Sequence, residues 1–325
     1  MTAYVIRRLL YTIPLVLGVC LFTFVLFEWI VPPEVRAAQA IGRHATAEAI
    51  QKEIRKRGWD KGLVWNARAE GVQRLTDTRF ARHMSRLLLF RFGRTEKTHE
   101  DIGQAILRGM VPSLTLTLPI FVLGLFTGLC LSLGVAYVRG TVLDLAGVVV
   151  CVAFMSVSIL VYIIVGQLLL AQYLRFFPIY GFARGFGVLR FLLLPVLIGV
   201  VKGLGDDVRF YRTILLEEMT RDYVRTARAK GLTETAVLFR HVLKNAMIPV
   251  LTRTVIAIPF LFLGSLLLES FFGIPGLGSM TVEAVNNGDT DVMAAMVYIG
   301  ALLFAFGNLL TDISYTIADP RIRLQ

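Results

Sequence analysis

Residues 110–138 read MVPSLTLTLPIFVLGLFTGLCLSLGVAYV and contain no charged side chain. A helix needs about 20 predominantly apolar residues to cross a hydrocarbon core of about 30 Å, and this stretch exceeds that length. Residues 9–27, 145–174 and 292–311 are likewise free of charge, and residues 247–268 carry only Arg253. A sixth candidate is weaker, because residues 191–201 are apolar but Lys202, Asp206 and Asp207 follow directly. Arg7 and Arg8 before the first stretch resemble Arg321 and Arg323 at the other end, so both termini are expected to be cytoplasmic under the positive-inside rule. Omitting the sixth stretch would leave the termini on opposite sides, so even parity favours six spans. The expectation is an all-α polytopic membrane protein with six transmembrane helices, N-in and C-in.

A signal peptide is the alternative for residues 9–27, since Ala38-Gln39-Ala40 imitates a cleavage site. The apolar region of such a peptide runs to about 7–15 residues, shorter than this one, which favours an uncleaved first span. Pro14, Pro119, Pro195, Pro249 and Pro259 fall within the apolar stretches and predict interrupted helices. Such breaks are tolerated in lipid where neighbouring helices satisfy the freed carbonyls, which suits a packed bundle enclosing a cavity. Neither strand alternation nor an internal repeat competes with this reading.

Composition agrees. Of the 325 residues 56% are hydrophobic and 18% charged, against about 45–50% and 25% in soluble domains. The net charge is nevertheless +11, from 34 Lys and Arg against 23 Asp and Glu. Residues 32–107 hold fifteen basic and nine acidic side chains, residues 209–253 hold nine and four, and the remainder balances at ten each. The excess therefore has two locations, and no nucleic-acid partner is needed to explain it. The second location suits the anionic inner leaflet of a membrane.

Residues 32–107 face outward on the six-span reading, and a segment longer than about 60 residues is exempt from the positive-inside count. Residues 46–57, with Glu48, Lys52, Glu53, Lys56 and Arg57, read as a short amphipathic helix. His44, His83 and His99 are too scattered for metal ligands and read as solvated surface residues. Cys20, Cys130 and Cys151 lie in apolar runs without CxxC spacing, so neither a metal site nor a disulfide is expected.

Residues 217–246, EEMTRDYVRTARAKGLTETAVLFRHVLKNA, read as helix, break, helix. Tyr223, Ala227 and Lys230 follow helical spacing, Gly231 can take a left-handed cap, and Thr233 is a plausible N-cap. Val237, Leu238, Phe239, Val242 and Leu243 supply an apolar face to the second helix. A stiffened helix of this kind suits docking in a groove of another protein, or lying basic side down on a membrane surface.

Arg225-Thr226-Ala227-Arg228-Ala229-Lys230-Gly231 resembles the EAA loop of binding-protein-dependent ABC importers, whose pattern is E-A-A, three residues, then G. Ala227 and Gly231 match the second alanine and the glycine, whereas Arg225 and Thr226 replace the glutamate and the first alanine. DYVRTARAKGL followed by Phe239-Arg240-His241-Val242-Leu243-Lys244-Asn245-Ala246 is similar to the peptide and nickel permease branch. So are Gly264-Ser265-Leu266-Leu267-Leu268-Glu269, Phe272-Gly273-Ile274-Pro275-Gly276-Leu277-Gly278, Asp312-Ile313-Ser314-Tyr315 and Asp319-Pro320-Arg321. The opening Tyr4-Val5-Ile6-Arg7-Arg8-Leu9-Leu10 resembles the start of the B-type subunit. Within the outer segment only Arg57-Gly58-Trp59-Asp60-Lys61 and Phe92-Gly93-Arg94 resemble the branch.

The resemblance implies a type I ABC importer (MetI-like) permease fold in a bacterial inner membrane. Residues 1–31 would form the N-terminus and first span, 32–107 the extracytoplasmic segment, and 108–325 a five-helix core with its coupling loop at 217–246. It implies pairing with a second, C-type permease subunit, two cytoplasmic ATPase subunits, an extracytoplasmic solute-binding protein and a peptide substrate. Arg225, Thr226, Ala227, Arg228, Gly231, Leu232, Thr233 and Glu234 would meet the ATPase. Glu234 also stands where a negative charge favours a helix N-terminus. No G-x-x-x-x-G-K-[ST] loop occurs in the chain, so ATP and Mg2+ are expected to belong to the partners and this subunit to be non-catalytic.

Charges at mid-membrane depth cost at least about 2.5–3.5 kcal/mol each, so Lys202, Asp206 and Asp207 are expected to face the translocation pathway or each other. Lys202 could pair with Asp206 four residues on, and Asp207 with Arg209. The competing reading ends span four early and leaves all three in water. Glu269, Pro275 and Gly276 are expected to shape an outer gate, or simply to cap structure. Within the family a permease for nickel complexes, glutathione or another small solute is the alternative. A different class, an ion-coupled secondary transporter, gives no reason for the RTARAKG loop.

Overall fold

The computed structural model describes residues 2–42, 46–67, 70–183 and 185–318. His44, Asp319, Pro320, Arg321 and Arg323 lie outside the described residues. The chain is helical nearly throughout. In order come α1 (Thr2–Phe24, continuing as a π segment Val25–Ile30), α2 (Pro33–Ile41), α3 (Ala47–Arg57), α4 (Gln73–Thr76) and α5 (Arg79–Leu88). Then follow α6 (Ile102–Tyr137), α7 (Val142–Ser156), α8 (Ile159–Gly166, with a π segment Gln167–Tyr173), α9 (Val188–Glu218) and α10 (Asp222–Ala229). The last are α11 (Glu234–Val237), a π segment Leu238–Val242, α12 (Leu243–Ala257), a 3-10 segment Ile258–Leu263, α13 (Leu266–Phe272), α14 (Leu277–Asn287) and α15 (Thr290–Ala318).

Among the described residues five helical stretches are long and apolar enough to cross a membrane: Leu10–Ile30, Ile102–Tyr137, Val188–Glu218, Glu234–Phe272 and Thr290–Ile313. The pair Val142–Ser156 and Ile159–Tyr173, bent by 88°, makes a sixth if it crosses as one broken span. Residues 145–174 were expected to form one span, and here the structure departs from the sequence reading. Val157 is extended, and the Ser158 hydroxyl accepts the Leu160 N–H at 3.3 Å, giving the chain a local cap in mid-stretch. The prolines behave less disruptively than expected. Pro14, Pro119, Pro195 and Pro249 sit inside continuous helices, and Pro259 alone of the five heads a change, to the 3-10 segment. The charges after residue 201 do not end the helix, because α9 runs on to Glu218.

The chain divides into two compact units. The first comprises the described residues of 1–111 and 276–309. Its segment α2 to α5 is folded, with a small core of Ala37, Ile54 and Trp59. Thr46 caps α3 by accepting the Ala49 N–H at 3.3 Å, as residues 46–57 predict. Beneath lies a buried charge network. Glu28 Oε2 accepts from Arg79 Nε at 3.0 Å and Nη2 at 2.8 Å, and Arg36 Nη1 stands 2.7 Å from the same oxygen. The Arg36 guanidinium lies 4.2 Å over the Trp59 ring, and Arg86 Nη2 donates to Asp291 at the head of α15 at 3.0 Å.

His83 corrects the expectation of a solvated surface histidine. It is buried on α5, its Nε2 lies 3.0 Å from Thr23 Oγ1 of α1, and its ring packs on Phe24. The Thr23 proton is directed at the Val19 and Cys20 carbonyls, so Nε2 is the donor in this bond. Phe80, His83 and Leu87 share the face of α5 turned towards the interior, which is the helical signal that the isolated spacing of the histidines concealed. His99 is exposed.

The second unit comprises the described residues of 112–275 and 310–318. One core gathers Leu116, Ile163, Leu192, Leu194, Ile198, Leu268 and Phe272. A second gathers Leu133 and Ala136 of α6 with Leu215, Met219, Val224, Ala227, Val237, Leu238, Val242 and Ala246, and so anchors α10. Small residues let the helices approach. A Cβ on Gly128 of α6 would fall 3.0 Å from Asp207 Cβ and 3.3 Å from the Tyr211 ring of α9.

Candidate functional site

The loop after α9 is a short helix, α10, closed by a glycine at its C-terminus and followed by the threonine-capped start of α11. Gly231 has φ +77°, its N–H reaches the Arg228 carbonyl at 2.9 Å, and the Leu232 N–H reaches Ala227 O at 3.4 Å. These two bonds make a Schellman close, which needs the left-handed residue that glycine supplies without a Cβ penalty. Thr233 then accepts the Ala236 N–H at 3.3 Å and opens α11. Across the turn Arg228 grips Glu234 with both arms, Nε to Oε1 at 2.8 Å and Nη2 to Oε2 at 3.1 Å. Tyr223 donates to Glu218, and burial together with this bond pushes its hydroxyl pKa up.

Sorting α10 by face separates the residues singled out in the sequence. Val224 and Ala227 are buried in the core, so Ala227 positions the helix. Arg225, Thr226, Arg228, Gly231, Leu232, Thr233 and Glu234 are exposed. The second helix departs from the expected apolar face in one place. Val237, Leu238 and Val242 are buried, but Phe239 is 55% exposed. The Leu243 N–H bonds Leu238 O, an i→i+5 turn, and that wider turn carries Phe239 off the stripe. Phe239 therefore stands exposed next to the exposed Arg240, a feature that regular helical spacing hid.

The second feature is a cavity of about 440 Å3 among α6, α8, α9, α12 and the 3-10 segment, within the second unit. Its walls are largely apolar, with Asp207, Tyr211 and Arg253 as the conspicuous polar groups. Of the three charges on α9, Asp207 lines it, Lys202 is half-buried and Asp206 is exposed. The expected pairs do not form: among the described residues no ion pair joins Lys202 to Asp206 or Asp207 to Arg209. Asp207 Oδ1 instead accepts from Arg253 Nη2 of α12 at 2.9 Å. A carboxylate pointing across the bundle meets the lone charge of span five sooner than a neighbour on its own helix whose side chain is exposed.

Glu269 is fully buried on α13. Its Oε1 accepts the Ser265 N–H at 3.1 Å and closes over Gly264, whose φ is +75°. Pro275 is exposed, while Gly276, at the head of α14, is buried and donates its N–H to Ser279 Oγ at 3.0 Å. Among the described residues no three His, Cys, Asp or Glu side chains cluster as metal ligands would.

The family described as "Binding-protein-dependent transport system inner membrane component" matches residues 110–324. The chain is 30% identical to the "probable peptide ABC transporter permease protein" of Sinorhizobium fredii over 99% of this chain and 100% of that one. It is 30% identical to the glutathione transport system permease protein GsiC of Salmonella paratyphi A over 99% of each. Over 42% of this chain and 43% of its relative it is 41% identical to the oligopeptide transport system permease protein AppB of Bacillus subtilis. This chain belongs to that family of inner-membrane permease components.

Proposed function

We propose, on the premise of that membership, that the chain forms half of the translocation pathway of an ATP-driven importer of short peptides. A second, C-type permease subunit supplies the other half. Two cytoplasmic ATPase subunits bind ATP and Mg2+ and close beneath the pair, and an extracytoplasmic binding protein delivers the peptide. The observation that carries this reading is the docked helix α10: its Val224 and Ala227 face is locked into the core, while Arg225, Thr226, Arg228 and Glu234 are offered to solvent. A stiff helix between two spans can pass the closure of a partner into them, and the chain holds no phosphate loop of its own. On this reading both termini are cytoplasmic, residues 32–107 face the binding protein, and residues 108–325 are the transport core. Lys202, Asp206 and Asp207 line or flank the pathway, and Glu269, Pro275 and Gly276 shape its outer gate.

A bacterium carrying the complete gene cluster, with this gene deleted or restored, provides the test. Restoration should return uptake of labelled di- and tripeptides. The relative that transports glutathione supports a second reading, since glutathione carries the same ammonium and carboxylate groups. Uptake of glutathione or nickel in place of α-linked peptides would reject the peptide assignment.

A further inference from the structure

Asp207 and Arg253 stand on the two helices that the coupling loop joins. Their ion pair, 2.9 Å long, faces the 440 Å3 cavity, whose size falls in the range of small-ligand pockets. The other polar groups there are mostly committed: Thr117 donates to the Ser113 and Leu261 carbonyls, and Thr254 to Val250. Among the described residues Asp207 Oδ2 accepts no hydrogen bond and the Tyr211 hydroxyl makes none. The Arg253 guanidinium lies 4.4 Å over the Phe210 ring and uses one of its five N–H groups on Asp207. The cavity thus holds one carboxylate and one guanidinium, each with bonding capacity to spare.

We propose that Asp207 and Arg253 form a subsite for a zwitterionic substrate, Asp207 taking its ammonium end and Arg253 its carboxylate end. This deepens the peptide-importer reading and rests on it. A carboxylate and a guanidinium match fork to fork, and an ammonium is a compact donor that a carboxylate oxygen accepts. Only a molecule bearing both charges can replace the resting pair without leaving one charge unmatched in an apolar wall, so simple anions and cations are disfavoured. Consecutive Cα atoms are about 3.8 Å apart, so the ends of even a dipeptide span more than the ion pair does, and the exchange separates α9 from α12. Asp207 stands eleven residues before the end of α9, about 16 Å from the coupling loop. Occupancy of the cavity is thereby reported to α10.

The test uses the intact complex, in cells and purified in detergent. Asp207→Asn, Arg253→Gln and the neutral double variant should each lower dipeptide uptake at least tenfold at normal membrane levels. The swapped variant D207R/R253D rebuilds an ion pair with reversed polarity. It should recover the melting temperature of the complex but not uptake. Glycylglycine at millimolar concentration should raise the melting temperature of the wild type, and its N-acetyl amide should not; the swap should abolish that rise. Recovery of uptake by the swap, or wild-type uptake by the neutral double variant, overturns the subsite and leaves a structural brace. Should the wild type take up no peptide yet show a glycylglycine shift that the swap removes, the subsite stands and the peptide-importer reading falls. Absence of the shift in the wild type overturns the subsite.

Discussion

The environment of His83 sets its titration. Burial against Thr23 and Phe24 lowers its pKa from 6.5 to about 4, only partly offset by Glu28 and Asp291, while Arg86 and Arg36 oppose a further positive charge. The unfolded chain takes up a proton near pH 6.5, whereas the folded chain resists until about pH 4. The stability tied to the neutral ring is therefore complete above pH 6.5 and is lost as the pH falls through that window, by up to about 3 kcal/mol. Thermal unfolding of the purified protein between pH 7 and 4.5 should show a steeper fall for the wild type than for His83→Gln. Parallel curves would mean that the ring is hydrated in solution. Nearby, two buried guanidiniums, those of Arg36 and Arg79, depend on the one carboxylate of Glu28, so removing it would leave both charges unmatched.

Helix α10 shows how local rules build the element proposed to transmit closure of the ATPase. Its C-terminal limit and the start of α11 were legible in the sequence, because a glycine cap and a threonine cap act within a few residues of themselves. A valine at Gly231 would have to adopt φ near +77°, a conformation that costs an L-residue about 1–2 kcal/mol or would unwind the turn. Gly231→Val should leave assembly of the complex intact and reduce uptake at least tenfold, with ATP hydrolysis no longer stimulated by the loaded binding protein. Normal uptake at normal assembly would show that the turn does not transmit closure. Other features of this unit were not legible. The π turn that exposes Phe239 has no local marker, and the bend at Ser158 comes from a residue that helices also tolerate. The Asp207–Arg253 pair joins positions 46 residues apart, which no helical periodicity relates. Arg253 was visible only as the single charge in span five.

At the scale of the whole chain the sidedness of every loop after Tyr173 depends on the bent pair α7 and α8. If Val142–Ser156 and Ile159–Tyr173 cross the membrane together, the chain makes six crossings. The loop between α6 and α7 then shares a side with the coupling loop, and the segment after Tyr173 shares the other with α2 to α5. If the 88° bend returns the chain to its starting side, five crossings remain and the coupling loop faces outward, away from any cytoplasmic ATPase. The charge excess favours six: the net of +5 in residues 209–253 then lies against the anionic inner leaflet, and the net of +6 in residues 32–107 belongs to a segment long enough to escape the positive-inside rule. Single cysteines placed at Lys97, Thr141, Phe176 and Thr235, with Cys20, Cys130 and Cys151 replaced by alanine, decide between them. In intact cells with a permeabilised outer membrane, an impermeant maleimide should label the Lys97 and Phe176 positions at once, and the Thr141 and Thr235 positions only after the inner membrane is opened. Labelling at Thr235 in closed cells would place α10 outside, and with it would fall the coupling role that its exposed arginines and Glu234 suggest.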